Sequence, residues 1–142
     1  MAITINDLLK LNLDERTWMR NLPHSLAEMM RVIGLEKTLK IALHYGGGSL
    51  FVPGLPWLER GNTSPLIELV GVDAVYKLNH YLCLDGTGSN FLIPACLHGR
   101  TWRRLRFLSL IGDGLPEREA AQLLGISRST LYHWKKTYGE AA

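Results

Sequence analysis

Apolar residues recur along this chain at the spacing of helices. Leu8, Leu9, Leu11 and Leu13 open it, and Leu26, Met29, Met30, Val32 and Ile33 make an apolar stripe along one helical face. Pro23, His24 and Ser25 stand where a helix should start, and Gly34 stands where it should end. The same periodicity predicts two further helices, Leu35–Tyr45 and Val72–Leu82. Breakers separate them: Gly46-Gly47-Gly48, Pro53-Gly54, Pro56 and the stretch 61–65. These enclose the run Leu50-Phe51-Val52, which favours an extended strand.

The pattern then repeats. Residues 29–53 read MMRVIGLEKTLKIALHYGGGSLFVP and residues 66–94 read LIELVGVDAVYKLNHYLCLDGTGSNFLIP. Each runs through two apolar residues, a charge, two apolar residues and Gly. An aliphatic residue, an acid and a Lys follow, then Gly, a β-run and Pro. The offset is 37 from Gly34 to Gly71 and from Lys40 to Lys77, and 41 from Pro53 to Pro94. Any two amphipathic helix-to-strand units share part of such a grammar. The ordered match of Gly, acid, Lys and Pro favours an internal duplication, with units over about 26–53 and 63–94. A short strand leaves its backbone groups unpaired, so each copy needs a partner, either the other copy in the same chain or another subunit.

From residue 99 the character changes. Arg100, Arg103, Arg104 and Arg106 alternate with Trp102, Leu105, Phe107, Leu108 and Ile111 to give one cationic and one apolar face. Gly112-Asp113-Gly114 should end that helix, and Pro116 with Glu117 and Glu119 should start the next, because proline suits a first turn and acids suit the positive end of the helix dipole. Residues 117–136, EREAAQLLGISRSTLYHWKK, fit the helix-turn-helix template position by position. Ala121 is small where two helices cross. Gly125 supplies the positive φ of the turn. Leu124, Ile126, Leu131 and Trp134 are apolar where the pair packs on the preceding helix, and Ser127 is a good N-cap. A helical hairpin with a solvated basic face is the bland alternative, and it does not require these positions to be satisfied together.

Subtracting the packing positions from the second helix leaves Arg128, Ser129, Tyr132, His133 and Lys136 facing outward, residue types that read bases in the major groove. Ser127, Thr130, Lys135, Arg100, Arg103 and Arg104 are expected on phosphates, which fix the register without reading sequence. The fold class expected is therefore mainly α. A helical and β-strand body over residues 1–98, serving dimerisation or interaction, precedes a three-helix helix-turn-helix DNA-binding domain over 99–142.

The charge agrees with that division. Residues 1–98 carry 8 basic and 9 acidic groups, and residues 99–142 carry 8 and 4, so a cationic end follows a near-neutral body. No apolar run approaches the ~20 residues of a membrane span, and the first residues lack the features of a signal peptide, so a cytoplasmic protein is expected. Cys83 and Cys96 are too few for a disulfide scaffold and read as core thiols. His80, Cys83, Cys96 and His98 have the residue types of a zinc site, but apolar neighbours explain both cysteines, and no metal is expected. Gly46-Gly47-Gly48-Ser49 lacks the Lys-Ser/Thr of a nucleotide loop and reads as a turn. No nucleophile, base and orienting acid converge in the sequence, so neither an enzyme nor a cofactor is expected.

Helix, Gly-Gly turn, short strand ending in Pro, basic helix and helix-turn-helix, in that order, resemble the Mor transcription activator family of Mu-like phages. The closest stretches are IGLEKTLKIALHYGGGSLFVP and LPEREAAQLLGISRSTLYHWKK; the resemblance covers 66–138 once and 29–53 a second time. It implies that residues 127–136 form the recognition helix and that Gly47, Gly48, Leu50, Phe51, Val52, Pro53, Gly88, Phe91, Leu92, Ile93 and Pro94 frame strands that dimerise the protein. It also implies a homodimer that binds a promoter in double-stranded DNA in a bacterial host and helps to recruit RNA polymerase. The chain departs from the family by having two helix-strand units instead of one, and by Asp85-Gly86-Thr87-Gly88 in place of a second Gly-Gly turn. The expected function is a sequence-specific transcription regulator of phage or prophage type, a promoter activator. Two alternatives share the motif: an interaction module that binds and inhibits a host factor, and the DNA-recognition subunit of a packaging or recombination complex.

Overall fold

The computed structural model describes residues 3–97 and 99–138. Among these, ten helices and two strands follow one another as α1 (Ile5–Leu9), α2 (Glu15–Asn21), α3 (His24–Ile33), α4 (Leu35–Tyr45), β1 (Ser49–Val52), α5 (Leu55–Glu59), α6 (Pro65–Val70), α7 (Val72–Leu82), β2 (Ser89–Leu92), α8 (Gly99–Gly112), α9 (Glu117–Leu124) and α10 (Arg128–Tyr138). The fold is mainly helical, with one two-stranded antiparallel sheet and a helix-turn-helix at its carboxy-terminal end.

The helices predicted at 35–45 and 72–82 lie where the periodicity puts them. Each starts at a glycine with a backbone that side chains rarely adopt: Gly34 has φ 90° and ψ 165°, and Gly71 has φ 89° and ψ 155°. A single residue there both ends one helix and opens the next, turning the chain sharply without a loop. The opening leucines, by contrast, do not form one helix. Asp7 and Thr4 close a capping box on α1, which stops at Leu9, and the Asp14 carboxylate accepts the Thr17 N–H to start α2.

β1 pairs with β2, Leu50 opposite Phe91 and Val52 opposite Ser89. The two strands therefore find their partner inside the chain. Leu50, Val52 and Ile93 are buried, whereas Phe51 and Leu92 lie on the solvent face of the sheet. Burying a side chain of this kind stabilises the fold by roughly 1.5–3 kcal/mol, which fixes which face of the pleat points inward. Asn79 of α7, itself buried, ties the sheet's ends together: its Nδ2 donates to the Pro53 carbonyl at 2.8 Å and to the Thr87 carbonyl at 3.3 Å.

Two apolar cores result. The larger gathers Leu8, Trp18, Leu26, Met30, Leu39, Ile41, Leu50, Val52, Leu58, Val75, Leu78 and Leu105, and the smaller gathers Phe107, Ala120, Ala121, Ile126 and Trp134. Helix α8 belongs to both, giving Leu105 to the first and Phe107 to the second. No helix of the described residues is long and apolar enough to cross a membrane.

Candidate nucleic-acid interface

The three carboxy-terminal helices are held by a small aromatic core. Trp134 of α10 meets Phe107 of α8 with ring centroids 5.6 Å apart and planes at 54°, a tilted arrangement that aromatic pairs favour. Ala120 and Ala121 are buried where α9 crosses, and only a small residue lets the helix axes approach so closely. Leu108, Leu110, Ile111, Leu115, Leu124 and Leu131 close the rim.

The bend between α9 and α10 is made by backbone geometry. Gly125 is left-handed at φ 67° and ψ 36°, and the Ile126 N–H reaches back to the Ala121 carbonyl at 2.8 Å, which satisfies an acceptor that the end of the helix would otherwise leave open. Ser127 then caps α10: its Oγ accepts the Thr130 N–H at 3.2 Å and lies 3.0 Å from the Thr130 Oγ1. Turn, cap and core together set the direction in which α10 leaves the body.

On that helix Arg128, Ser129, Tyr132, His133 and Lys136 are all exposed, Tyr132 at 66%. Arg128, Tyr132 and Lys136 stand four residues apart, and the Lys136 ammonium lies 5.6 Å from the centre of the Tyr132 ring, within cation–π reach. His133 approaches Thr137, with Nε2 3.5 Å from Oγ1. These side chains form one ridge, with Trp134 on the opposite, buried side.

Five of the six residues expected on phosphates fall into three groups. Arg100 and Arg103 are exposed on α8, beside Arg106. Ser127 and Thr130 serve the cap of α10. Lys135 is paired with Glu117 of α9 at 2.7 Å, with both side chains substantially exposed; such a pair contributes about 0–1 kcal/mol, so a phosphate can displace the carboxylate at little cost. Arg104 does not belong with the others. It is buried, and its Nε donates to Asn21 Oδ1 at 2.6 Å, so it locks α8 onto α2 and its charge is kept from a DNA surface. Spacing alone places it with Arg100 and Arg103, and only the packing of α2 separates them.

A groove of about 450 Å³ opens between α9 and α10, lined by Glu117, Arg118, Gln122, Arg128 and Leu131 among others. Nothing in the sequence pattern singles out Arg118 and Gln122, although both fall within the helix-turn-helix motif. Of the residues considered for zinc, Cys96 is buried and its thiol is pushed up to about 11 by desolvation, which disfavours the thiolate a metal would need. Cys83 is shifted in the same direction by its own burial, and His98 lies outside the described residues.

The strand residues Leu50, Val52, Pro53 and Ile93 face the interior of their own chain, while Phe51 and Leu92 face solvent and Phe91 and Pro94 are half-buried. Neither a curated protein nor a solved structure matches the chain. Residues 98–142, however, match the family model of a homeodomain-like domain, which points to DNA binding rather than catalysis. The helices α8, α9 and α10 thus form a homeodomain-like helix-turn-helix region.

Proposed function

We propose that this protein is a sequence-specific transcription regulator of phage or prophage type that reads the major groove with α10 and activates a promoter. The observation that carries the proposal is the exposed ridge of Arg128, Ser129, Tyr132, His133 and Lys136, held by the bend at Gly125, the Ser127 cap and the Phe107–Trp134 core. Arg128 is one residue beyond the N-cap, where recognition helices approach bases most closely, and its guanidinium can bridge guanine O6 and N7. Arg100, Arg103 and the displaceable Lys135 supply contacts to the backbone.

Activation and phage origin rest on the resemblance to the Mor family, and bacterial RNA polymerase in the host cytoplasm is the partner that reading requires. The same resemblance implies a homodimer as the binding unit. A second reading, a body that binds and inhibits a host factor, draws support from the uncovered sheet face at Phe51 and Leu92, the latter 84% exposed.

Selection of bound duplexes from a random pool tests the main proposal: a conserved element should emerge after a few rounds. A protein that retains all duplexes equally is not a sequence reader. Affinity purification from the host after nuclease treatment tests the second reading, which requires a stoichiometric protein partner to remain bound.

A further inference from the structure

The chain contains two copies of one helix-strand unit, and their arrangement bears on the kind of DNA site it reads. The glycines that join α3 to α4 and α6 to α7 have φ values of 90° and 89°, and each opens a helix of 11 residues. Matched by the offset of 41, Leu50 corresponds to Phe91, Ser49 to Asn90 and Phe51 to Leu92. The sheet pairs Leu50 with Phe91, Ser49 with Leu92 and Phe51 with Asn90. Exchanging the two copies therefore maps the ladder onto itself, with the Leu50–Phe91 pair on the axis. That is the relation a two-fold imposes between identical strands.

The helices obey the same exchange. Helix α3 packs on α7 and α6 packs on α4, so the first helix of each copy lies on the second helix of the other. The surface follows suit. One shallow groove is lined by Val32, Lys77, His80 and Tyr81 with Leu55, and another by Leu69, Lys40, Leu43 and His44 with Ile5, the first four of each being 37 residues apart in sequence. What two subunits would bury against each other in a symmetric assembly is here buried within one chain.

The symmetry stops at the exits of the strands. Beyond Pro94 the chain continues into α8 and the helix-turn-helix, whereas beyond Pro53 it turns at Gly54 into α5. Two copies of the body therefore carry one reader. The residues of the sheet itself that face solvent are Ser49, Phe51, Asn90 and Leu92.

We infer that the chain reads a single unsymmetric DNA element as a monomer, its duplicated body replacing the second subunit. This rests on the DNA-binding reading above and replaces the homodimer that the family resemblance implies. Light scattering of the full chain across the micromolar range should give the mass of one chain, 16.0 kDa, and one chain per bound duplex. Selection from a random pool should return an element without inverted symmetry. An inverted repeat of that element, with centres one helical turn (~34 Å) apart, should fill in two independent steps with a coupling factor of about 1, where a dimer would gain about 10² or more from simultaneous engagement.

A dimeric mass overturns the inference whether or not DNA is present, and so does a palindromic element filled in one cooperative step. Those results leave the DNA-binding reading standing. A chain that prefers no duplex overturns that reading and the site class inferred from it, and the mass measurement tells the two failures apart.

Discussion

Truncation of Trp134 tests whether the reader stands on its own core. Trp134 is buried against Phe107, and two of the other three buried members of that core are alanines, so the two aromatic rings are its largest buried side chains. Removing a buried Trp or Phe costs about 3–5 kcal/mol. At roughly 0.05–0.15 kcal/mol per residue, about forty residues of helix-turn-helix contribute ~2–6 kcal/mol of stability. Trp134→Ala should therefore remove most of what keeps α9 and α10 folded, while the separate core around Trp18, Leu50, Val52 and Leu78 remains intact. Hydrogen exchange read by mass spectrometry on peptic fragments checks this. Protection should be lost over α9 and α10 and retained over α4 and α7, and binding to the selected element should fall to the level of random DNA. Equal loss of protection in α4 and α7 would show that the two cores melt as one unit, and undiminished sequence preference would show that Trp134 does not anchor the reader. Either result refutes the reasoning.

Four further outcomes are expected. Arg128→Ala should weaken binding to the selected element by about 1–3 kcal/mol and leave binding to random DNA nearly unchanged, as measured by titration at fixed salt. Arg103→Ala should lower the slope of log affinity against log salt by about 1, whereas Arg104→Ala should leave that slope unchanged and lower the melting temperature, since its guanidinium bonds to Asn21 within the fold. Gly125→Ala meets no atom within 4 Å but must hold φ near 67°, so it should cost about 1–2 kcal/mol through the backbone alone, visible as a lower thermal midpoint. Burial pushes the Cys96 thiol up to about 11, so the thiolate is scarce below that pH; iodoacetamide at mildly alkaline pH should label the more accessible Cys83 first, followed by mass spectrometry.

Some of the architecture was written in the sequence and some was not, for reasons that differ from element to element. Helices α4 and α7 were legible because each has an apolar stripe and a glycine that only a sharp helix-to-helix turn explains. The start of the chain was not, because Leu8, Leu9, Leu11 and Leu13 look continuous while α1 ends at Leu9 and the Asp14 cap begins α2 only after Leu13. Helix α5 hid among Pro53, Gly54 and Pro56, residues that read as breakers; Pro56 falls in the first turn, where a missing N–H costs nothing. In the reader, the positions of Gly125, Ser127 and Trp134 follow from local rules and were foreseeable one by one. Arg104 was not, because its fate depends on Asn21, 83 residues away, and no periodicity reports such a contact.

The strand pairing decides more than the fold. Sequence alone allowed each strand to seek its partner in this chain or in another, and the two choices give different readers: one recognition helix per unit or two related by symmetry. Pairing within the chain leaves α8 as the link between body and reader. That link is stiff, because Leu105 and Phe107 anchor it in separate cores, Arg104 bonds to Asn21, and Asn12 reaches its far end, its N–H donating to Ser109 Oγ at 2.8 Å and its Nδ2 to Asp113 Oδ1 at 2.9 Å. The body therefore fixes the direction of α10 through contacts with α8. If the chain binds DNA as the monomer inferred above, specificity must come from the few side chains on α10 and from any partner the body holds. On the proposed reading of an activator and the inference of a monomer, binding beside a promoter to recruit another protein would gain occupancy from that partner.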